Sequence, residues 1–138
     1  MDIAERILRE FSTLAVVGAS RDPQKSAHGV PASLRAAGFR IVPVNPFAQN
    51  TLLGEKAYPT LLDIPFPVEA VVVFRPAEHV PPIARDTVAI GAKALWLQQG
   101  IRSPEARAIA TQAGLLYVED RCTAVERALH SIVKNSVT

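Results

Sequence analysis

Five short runs of consecutive apolar residues, separated by stretches that read as helices, constrain the fold of this chain more than any other feature. The runs are rich in Val, Leu and Ile and are apolar at successive rather than alternate positions. Strands that are buried on both faces of a sheet have this composition. The predicted strands are 14–18, 40–44, 70–74, 94–97 and 115–118; the predicted helices between them are 27–37, 77–90 and 104–113, with a short helical turn at 60–63.

This regular alternation of strands and helices indicates an α/β fold. Right-handed crossovers place helices on both faces of a parallel sheet. We therefore expect a Rossmann-like, doubly wound parallel sheet of five strands in the order 3-2-1-4-5. The sheet would form the middle of a three-layer α/β/α single domain that spans residues 1–138. With 49% hydrophobic residues, a chain of this length suits one compact domain.

Composition excludes several function classes. The net charge is only +2, and the charged residues are scattered along the chain without a basic block, so we expect no nucleic-acid partner. No apolar run approaches the roughly 20 residues of a membrane helix, so we expect no membrane partner. The acidic residues in the opening MDIAERILREF argue against a signal peptide, which predicts a cytoplasmic location. A single cysteine, Cys122, excludes an intramolecular disulfide and a multi-cysteine zinc site.

Helix termini give further expectations. A proline inside a helix costs roughly 3 kcal/mol, so the helices containing Pro31 and Pro81 should begin at or just before those residues. Thr123 is a candidate N-cap for the closing helix, with Glu126 three residues later. Apolar faces of the two end helices should pack on the sheet. These faces are formed by Ile3, Ile7, Leu8 and Phe11 in the opening helix and by Val125, Leu129, Ile132 and Val133 in the closing one.

The loop after the first strand is the strongest candidate for a ligand site. It begins with three small residues, Gly18, Ala19 and Ser20, and carries two cations, Arg21 and Lys25. A helix that starts near residue 26 would point backbone N–H groups and its positive end at phosphate groups. The spacing is not G-x-G-x-x-G, so an ordinary strand-to-helix turn with solvated charges is the alternative.

Other strands should end at the same crevice. After the second strand come Asn45 and Pro46, with no carboxylate of the kind that binds the ribose of NAD. Their alternative role is to end the strand. The third strand ends at Phe74, Arg75 and Pro76, where the aromatic ring and the guanidinium could contact an adenine and a phosphate. Phe74 could equally belong to the core. The fourth strand delivers Gln98, Gln99 and Gly100.

The sequence offers no convincing catalytic residue and no metal site. Its three histidines, His28, His79 and His130, are dispersed, and no H-E-x-x-H pair is present. Ser20 lacks the G-x-S-x-G elbow of a hydrolase. Cys122 follows the last strand and precedes a helix, where a thiolate could be stabilised, although a lone cysteine is more often buried and inert.

Several motifs, in order along the chain, resemble one family. They are GASRDPQKSAHGV, VNP, LGEKAYPTLLDIP, VVVFRPAEHVP, GAKALWLQQGI and AGLLYVEDRC. Together they resemble the small bacterial CoA-binding proteins, which are similar to the CoA-binding domain of the succinyl-CoA synthetase α subunit. The resemblance runs from about residue 11 to residue 126. It implies CoA in the crevice, with the diphosphate near residues 18–25 and the adenosine toward Asn45, Pro46 and residues 74–76.

Two departures from that family pattern limit the functional reading. The family commonly has a lysine after VNP, where this chain has Phe47. The synthetase subunit also has a second domain with a phosphorylated histidine, and we expect no counterpart of that domain here. We therefore expect a stand-alone CoA or acyl-CoA binding protein without complete catalytic machinery. The alternatives are an enzyme component, either an oxidoreductase or an acyl-transfer subunit, that uses NADP or CoA, and a regulatory subunit that signals to an unidentified protein partner.

Overall fold

The computed structural model describes residues 1–47 and 50–134. Five of its strands form the main sheet, β1 (Thr13–Val17), β2 (Arg40–Val44), β5 (Ala70–Val73), β6 (Ala94–Leu97) and β7 (Leu116–Val118), and two short strands form a hairpin, β3 (Thr51–Leu52) and β4 (Glu55–Lys56). The helices are α1 (Ile3–Glu10), α2 (Ser26–Ala36), α3 (Val80–Ala89), α4 (Pro104–Gln112) and α5 (Thr123–Leu129), with 3₁₀ turns at Leu61–Asp63 and Ala77–His79. In the described part of the chain, no helix combines the length and the apolar composition that crossing a bilayer requires.

The main sheet is wholly parallel and has helices on both faces, which confirms the predicted Rossmann-like α/β class. Along each strand, alternate side chains enter different cores, as in β1, where Leu14 and Val16 face one core and Ala15 and Val17 the other. The first core also contains apolar residues of α1 and α2, and the second contains those of α3 and α4. The chain therefore forms three layers, with the sheet in the middle.

The predicted strand order was wrong at one position. The sheet runs β2-β1-β5-β6-β7, so the third main strand, β5, lies beside β1 and not outside β2. The reason is that the outer edge of β2 is already occupied. Tyr58 donates its N–H to the Pro43 carbonyl at 3.0 Å, and its own carbonyl accepts from Asn45 N–H at 2.9 Å. Because Pro43 has no N–H, β2 suits a sheet edge better than an interior position.

Pro31 lies inside α2, contrary to the expectation that this helix begins at or just before it. The helix starts five residues earlier, at Ser26. The missing N–H of Pro31 leaves the Ala27 carbonyl, one turn back, without its usual intrahelical donor. That carbonyl accepts instead from the Ser20 N–H at 3.0 Å. The expectation is correct for the other proline: α3 starts at Val80 and has Pro81 in its first turn.

The closing helix differs from its prediction in two ways. Its N-cap is Cys122, because Thr123 is already helical and donates its hydroxyl and its N–H to the side chain of Gln98. Of the face predicted to pack on the sheet, Ile132 is buried, whereas Val125, Leu129 and Val133 are exposed. In the opening helix, Ile7 and Leu8 are buried as predicted, Phe11 packs against the first core, and Ile3 is exposed.

Candidate functional site

The site lies at the carboxyl edge of the sheet, where β1 and β5 end side by side. From β1 the chain crosses over to β2 on one side, and from β5 it crosses to β6 on the other. Such a switch point is where doubly wound sheets bind ligands. Gly18 and the end of β5 are in close contact here. A Cβ added to Gly18 would lie 3.1 Å from Arg75 Cδ and 3.2 Å from the Phe74 carbonyl oxygen.

The loop after β1 is held in place by hydrogen bonds to two elements, β2 with its following residue Asn45, and α2. Gly18 N–H donates to the Val44 carbonyl at 2.8 Å, and Asn45 Nδ2 donates to the Ala19 carbonyl at 2.8 Å. Ser20 is bound to α2 through its N–H, and its carbonyl lies 2.7 Å from His28 Nδ1. The loop is therefore preorganised, and Asn45 acts as a tie between β2 and the loop.

The first turn of α2 has two backbone donors without an acceptor in the part of the chain that the structure describes. The backbone N–H groups of Ser26 and Ala27 find no acceptor among residues 1–47 and 50–134. The N-cap residue, Lys25, makes no side-chain cap, and the first turn contains no acid. Lys25 is exposed and makes no salt bridge within the part of the chain that the structure describes. Positive charge and backbone donors thus converge where an anion can reach them.

A first cleft of about 290 Å³ opens on one side of the loop. Its walls include Gly18, Pro46 and Arg75, three of the residues predicted from the sequence. They also include Thr60 from the connection after β2 and Asp86 from α3, neither of which was predicted. Asp86 brings a carboxylate into a crevice where the sequence indicated none, because α3 packs against the end of this crevice.

A second cleft of about 400 Å³ lies on the other side of the loop, beside the N-terminus of α2. Ser26 and Ala27 form one wall, and Phe74, Gln98 and Cys122 contribute to the others. Phe74 is half-buried and lines this cleft, whereas the next residue in sequence, Arg75, lines the first one.

The remaining predicted residues lie around the loop without lining either cleft. Ala19 is fully buried, and Pro76 is exposed as the N-cap of a 3₁₀ turn. Ser20 uses its N–H to bind α2 and its hydroxyl to accept from Asp22 N–H. Arg21 reaches away from α2, and its Nη1 donates to the Thr51 carbonyl at 3.0 Å. Four of the ten predicted residues therefore line a cleft, and the other six, which include Lys25 at the start of α2 and Pro76 after β5, do not.

The backbone next to Cys122 is fixed from inside the core. Trp96 is fully buried in β6, and its indole Nε1 donates to the Arg121 carbonyl at 2.7 Å. The Arg121 side chain points elsewhere, to Asp2 at 3.0 Å and Glu126 at 2.6 Å.

The acids Asp2 and Glu126 and the imidazole of His130 lie close enough together to share a cation, a grouping that the sequence did not suggest. The guanidinium of Arg121 already supplies positive charge to both acids.

Fold and site together define the class of the protein: a Rossmann-like domain with two clefts beside the loop at its switch point. Within that class, the chain belongs to the CoA binding domain family, whose pattern matches residues 12–128. This membership confirms the resemblance that the motifs indicated.

Three relatives show how far the likeness extends. The chain is 34% identical over 125 residues to the uncharacterized protein YneT of Bacillus subtilis, covering 91% of this chain and 92% of that protein. The solved structure of cell-free ID.343 from Thermus thermophilus matches with a TM-score of 0.87 and 40% identity, over 94% of this chain and 98% of that one. An ADP-forming acetate–CoA ligase II of Archaeoglobus fulgidus is 37% identical over 83 residues, which are 59% of this chain and only 12% of the ligase.

Proposed function

We propose that this protein binds CoA or an acyl-CoA across the two clefts, with the diphosphate at the N-terminus of α2. One observation carries the proposal. The loop contributes Gly18 to the first cleft, and Ser26 and Ala27, which follow cationic Lys25 at the start of α2, line the second, so one loop and the helix after it border both ligand-sized spaces. CoA has matching parts, since its central diphosphate joins a nucleotide to a long thiol-bearing arm. The family to which the chain belongs supports this ligand class.

The first cleft would take the nucleotide end. It presents apolar side chains, including Val44 and Leu61, together with the polar Thr60, Arg75 and Asp86. Apolar walls with a few polar groups are typical of sites for small ligands. Asp86 could accept from ribose hydroxyls, which is a feature of NAD sites as well. NAD and NADP are therefore the necessary comparison ligands.

Isothermal titration of the purified protein with CoA, acetyl-CoA, NAD and NADP tests the ligand class. The expected result is binding of CoA and acetyl-CoA without binding of either dinucleotide. Binding of NADP alone would support the oxidoreductase alternative and overturn the proposal. If none of the four binds, the loop is an ordinary strand-to-helix turn and the proposal is wrong.

Lys25→Ala tests the position of the diphosphate. Because Lys25 is exposed and forms no ion pair among the described residues, its removal should leave the fold intact. The affinity for CoA should fall by about 1.5 to 3 kcal/mol, the usual range for a hydrogen bond to a charged group. Lys93→Ala is the matched control, because Lys93 is exposed at the opposite edge of the sheet, just before β6. Equal effects of the two substitutions would place the diphosphate elsewhere.

We propose binding without turnover, and His28 is the residue on which this can be tested. His28 is the histidine nearest the loop, and its Nδ1 is occupied by the Ser20 carbonyl. It therefore supports the loop. Incubation with acetyl-CoA, followed by measurement of released thiol, should give no release above that in buffer. Release that disappears in His28→Gln would favour the acyl-transfer alternative.

A further inference from the structure

A buried amide in the second cleft has a donor with no partner. Gln98 is only 4% exposed, and its Oε1 accepts from Thr123 N–H at 3.0 Å and from Thr123 Oγ1 at 2.8 Å. The backbone donor fixes the orientation of the amide, because only the oxygen can accept. Nε2 therefore points away from Thr123, and it meets no acceptor in the described part of the chain. Solvent reaches Nε2 at the wall of the cleft, so this donor is open to a carbonyl oxygen of a ligand that enters there.

The same cleft contains the single cysteine of the chain. Cys122 is half-buried and lines the cleft together with Gln98. The backbone on either side of it is fixed, because the Arg121 carbonyl accepts from Trp96 and Thr123 donates to Gln98. The remaining walls are largely apolar and include Val30, Phe74 and Ile101. The cleft thus combines a fixed thiol, an amide donor and apolar walls.

We propose that the second cleft holds the thiol-bearing arm of the ligand and that Cys122 captures CoA from CoA disulfides as a mixed disulfide. This inference rests on the proposed function, because the diphosphate at the N-terminus of α2 delivers the arm to the cleft that Ser26 and Ala27 line. Gln98 Nε2 donates to an amide carbonyl of the arm. The apolar walls pack against its methylene groups.

The chemistry is thiol–disulfide exchange and needs no further oxidant. The Cys122 thiolate attacks one sulfur of the CoA disulfide, and a new bond forms between Cys122 Sγ and that sulfur. The original sulfur–sulfur bond breaks, and the second CoA leaves as a thiolate that takes up a proton from water. One disulfide is consumed and one is formed, so electrons balance. A thiol such as reduced CoA reverses the step, which makes the capture responsive to the redox state of the CoA pool.

Intact-mass spectrometry of the whole protein measures this reaction directly, and the single cysteine assigns the adduct. Protein is mixed with CoA disulfide or, in parallel, with oxidised glutathione, and the two rates are compared. Prior binding should make CoA disulfide react about tenfold faster or more, because the reacting sulfurs are held together. The preference should vanish in denaturant. Desulfo-CoA, which lacks the thiol, should slow the reaction with CoA disulfide.

A substitution at Gln98 tests the role of the amide. Gln98→Glu keeps an oxygen for Thr123 and replaces the Nε2 donor with an acceptor. It should lower the rate advantage of CoA disulfide several-fold while circular dichroism shows an unchanged fold; an unchanged advantage would overturn the role assigned to Gln98.

Calorimetry with reduced CoA separates the two possible failures. If CoA binds but Cys122 shows no preference between the disulfides, the inference is wrong and the proposed function stands. If CoA does not bind, both are overturned.

Discussion

Replacing glycines by alanine measures how tightly the first strand's loop is packed against β5. In Gly18→Ala two costs combine. The residue has φ +92°, and a non-glycine residue in this left-handed region costs about 1 to 2 kcal/mol. The new Cβ would also lie 3.2 Å from the Phe74 carbonyl oxygen, which cannot retreat easily because Phe74 N–H is bonded to Val17. Overpacking of this kind costs about 1 to 3 kcal/mol.

Two other glycines separate these costs. Gly114 has φ +80° and a Cβ there would meet nothing within 4 Å, so Gly114→Ala carries the conformational cost alone. Gly29 lies in α2 with ordinary dihedral angles and open space around it, so Gly29→Ala should stabilise the protein by about 0.5 to 1 kcal/mol. The expected order of stability is Gly29→Ala above wild type, then Gly114→Ala, then Gly18→Ala.

Urea unfolding followed by far-ultraviolet circular dichroism gives the three free energies of unfolding. Gly18→Ala should be less stable than wild type by about 2 to 5 kcal/mol. The free energy of unfolding of Gly18→Ala is then compared with that of Gly114→Ala. The difference between the two values gives the cost of the contact with β5 alone. Equal stabilities of these two variants would refute the close packing between Gly18 and the end of β5.

Two further predictions address the loop after β1 and the carboxylate of Asp120. Pro31→Ala introduces an N–H that competes with Ser20 for the Ala27 carbonyl, so the Ser20 amide should exchange its hydrogen faster; unchanged protection would refute this competition. The pKa of Asp120 lies below its usual 3.8, because Gly100 N–H and the Arg102 guanidinium stabilise the carboxylate. Asp120 therefore stabilises the fold above that pH, and its contribution is lost as the pH falls through the lowered pKa. Asp120→Asn should be less stable at pH 7 and should match wild type in strong acid, which thermal unfolding at both pH values would check.

The secondary structure could be predicted closely because each strand is a dense apolar run. The predicted strands agree with the observed ones to within one residue at each end. Such runs show that a strand is buried, yet they carry no information about its neighbours. The strand order was predicted wrongly, although Pro43 in the second strand indicated the correct order. A proline in the second strand indicates an edge strand, which is incompatible with an order that places another strand outside it.

The candidate site was predictable only in part. The loop residues were found because small residues and cations between a strand and a helix have a direct chemical meaning. Asp86 was missed because its relevance depends on how α3 packs beside the crevice, which no local pattern records. The open donor of Gln98 was also invisible in the sequence, since it follows from the two bonds that Thr123 makes to the same side chain.

The hydrogen bond from the Trp96 indole to the Arg121 carbonyl gives the protein an intrinsic fluorescent probe beside the second cleft. Trp96 is the single tryptophan of the chain, it is fully buried, and its Nε1 is bound to the carbonyl immediately before Cys122. Its fluorescence emission therefore reports on one location only. A ligand that shifts the backbone at Cys122 changes the polarity and hydrogen bonding of the indole, so occupancy of the second cleft can be followed in real time without a label.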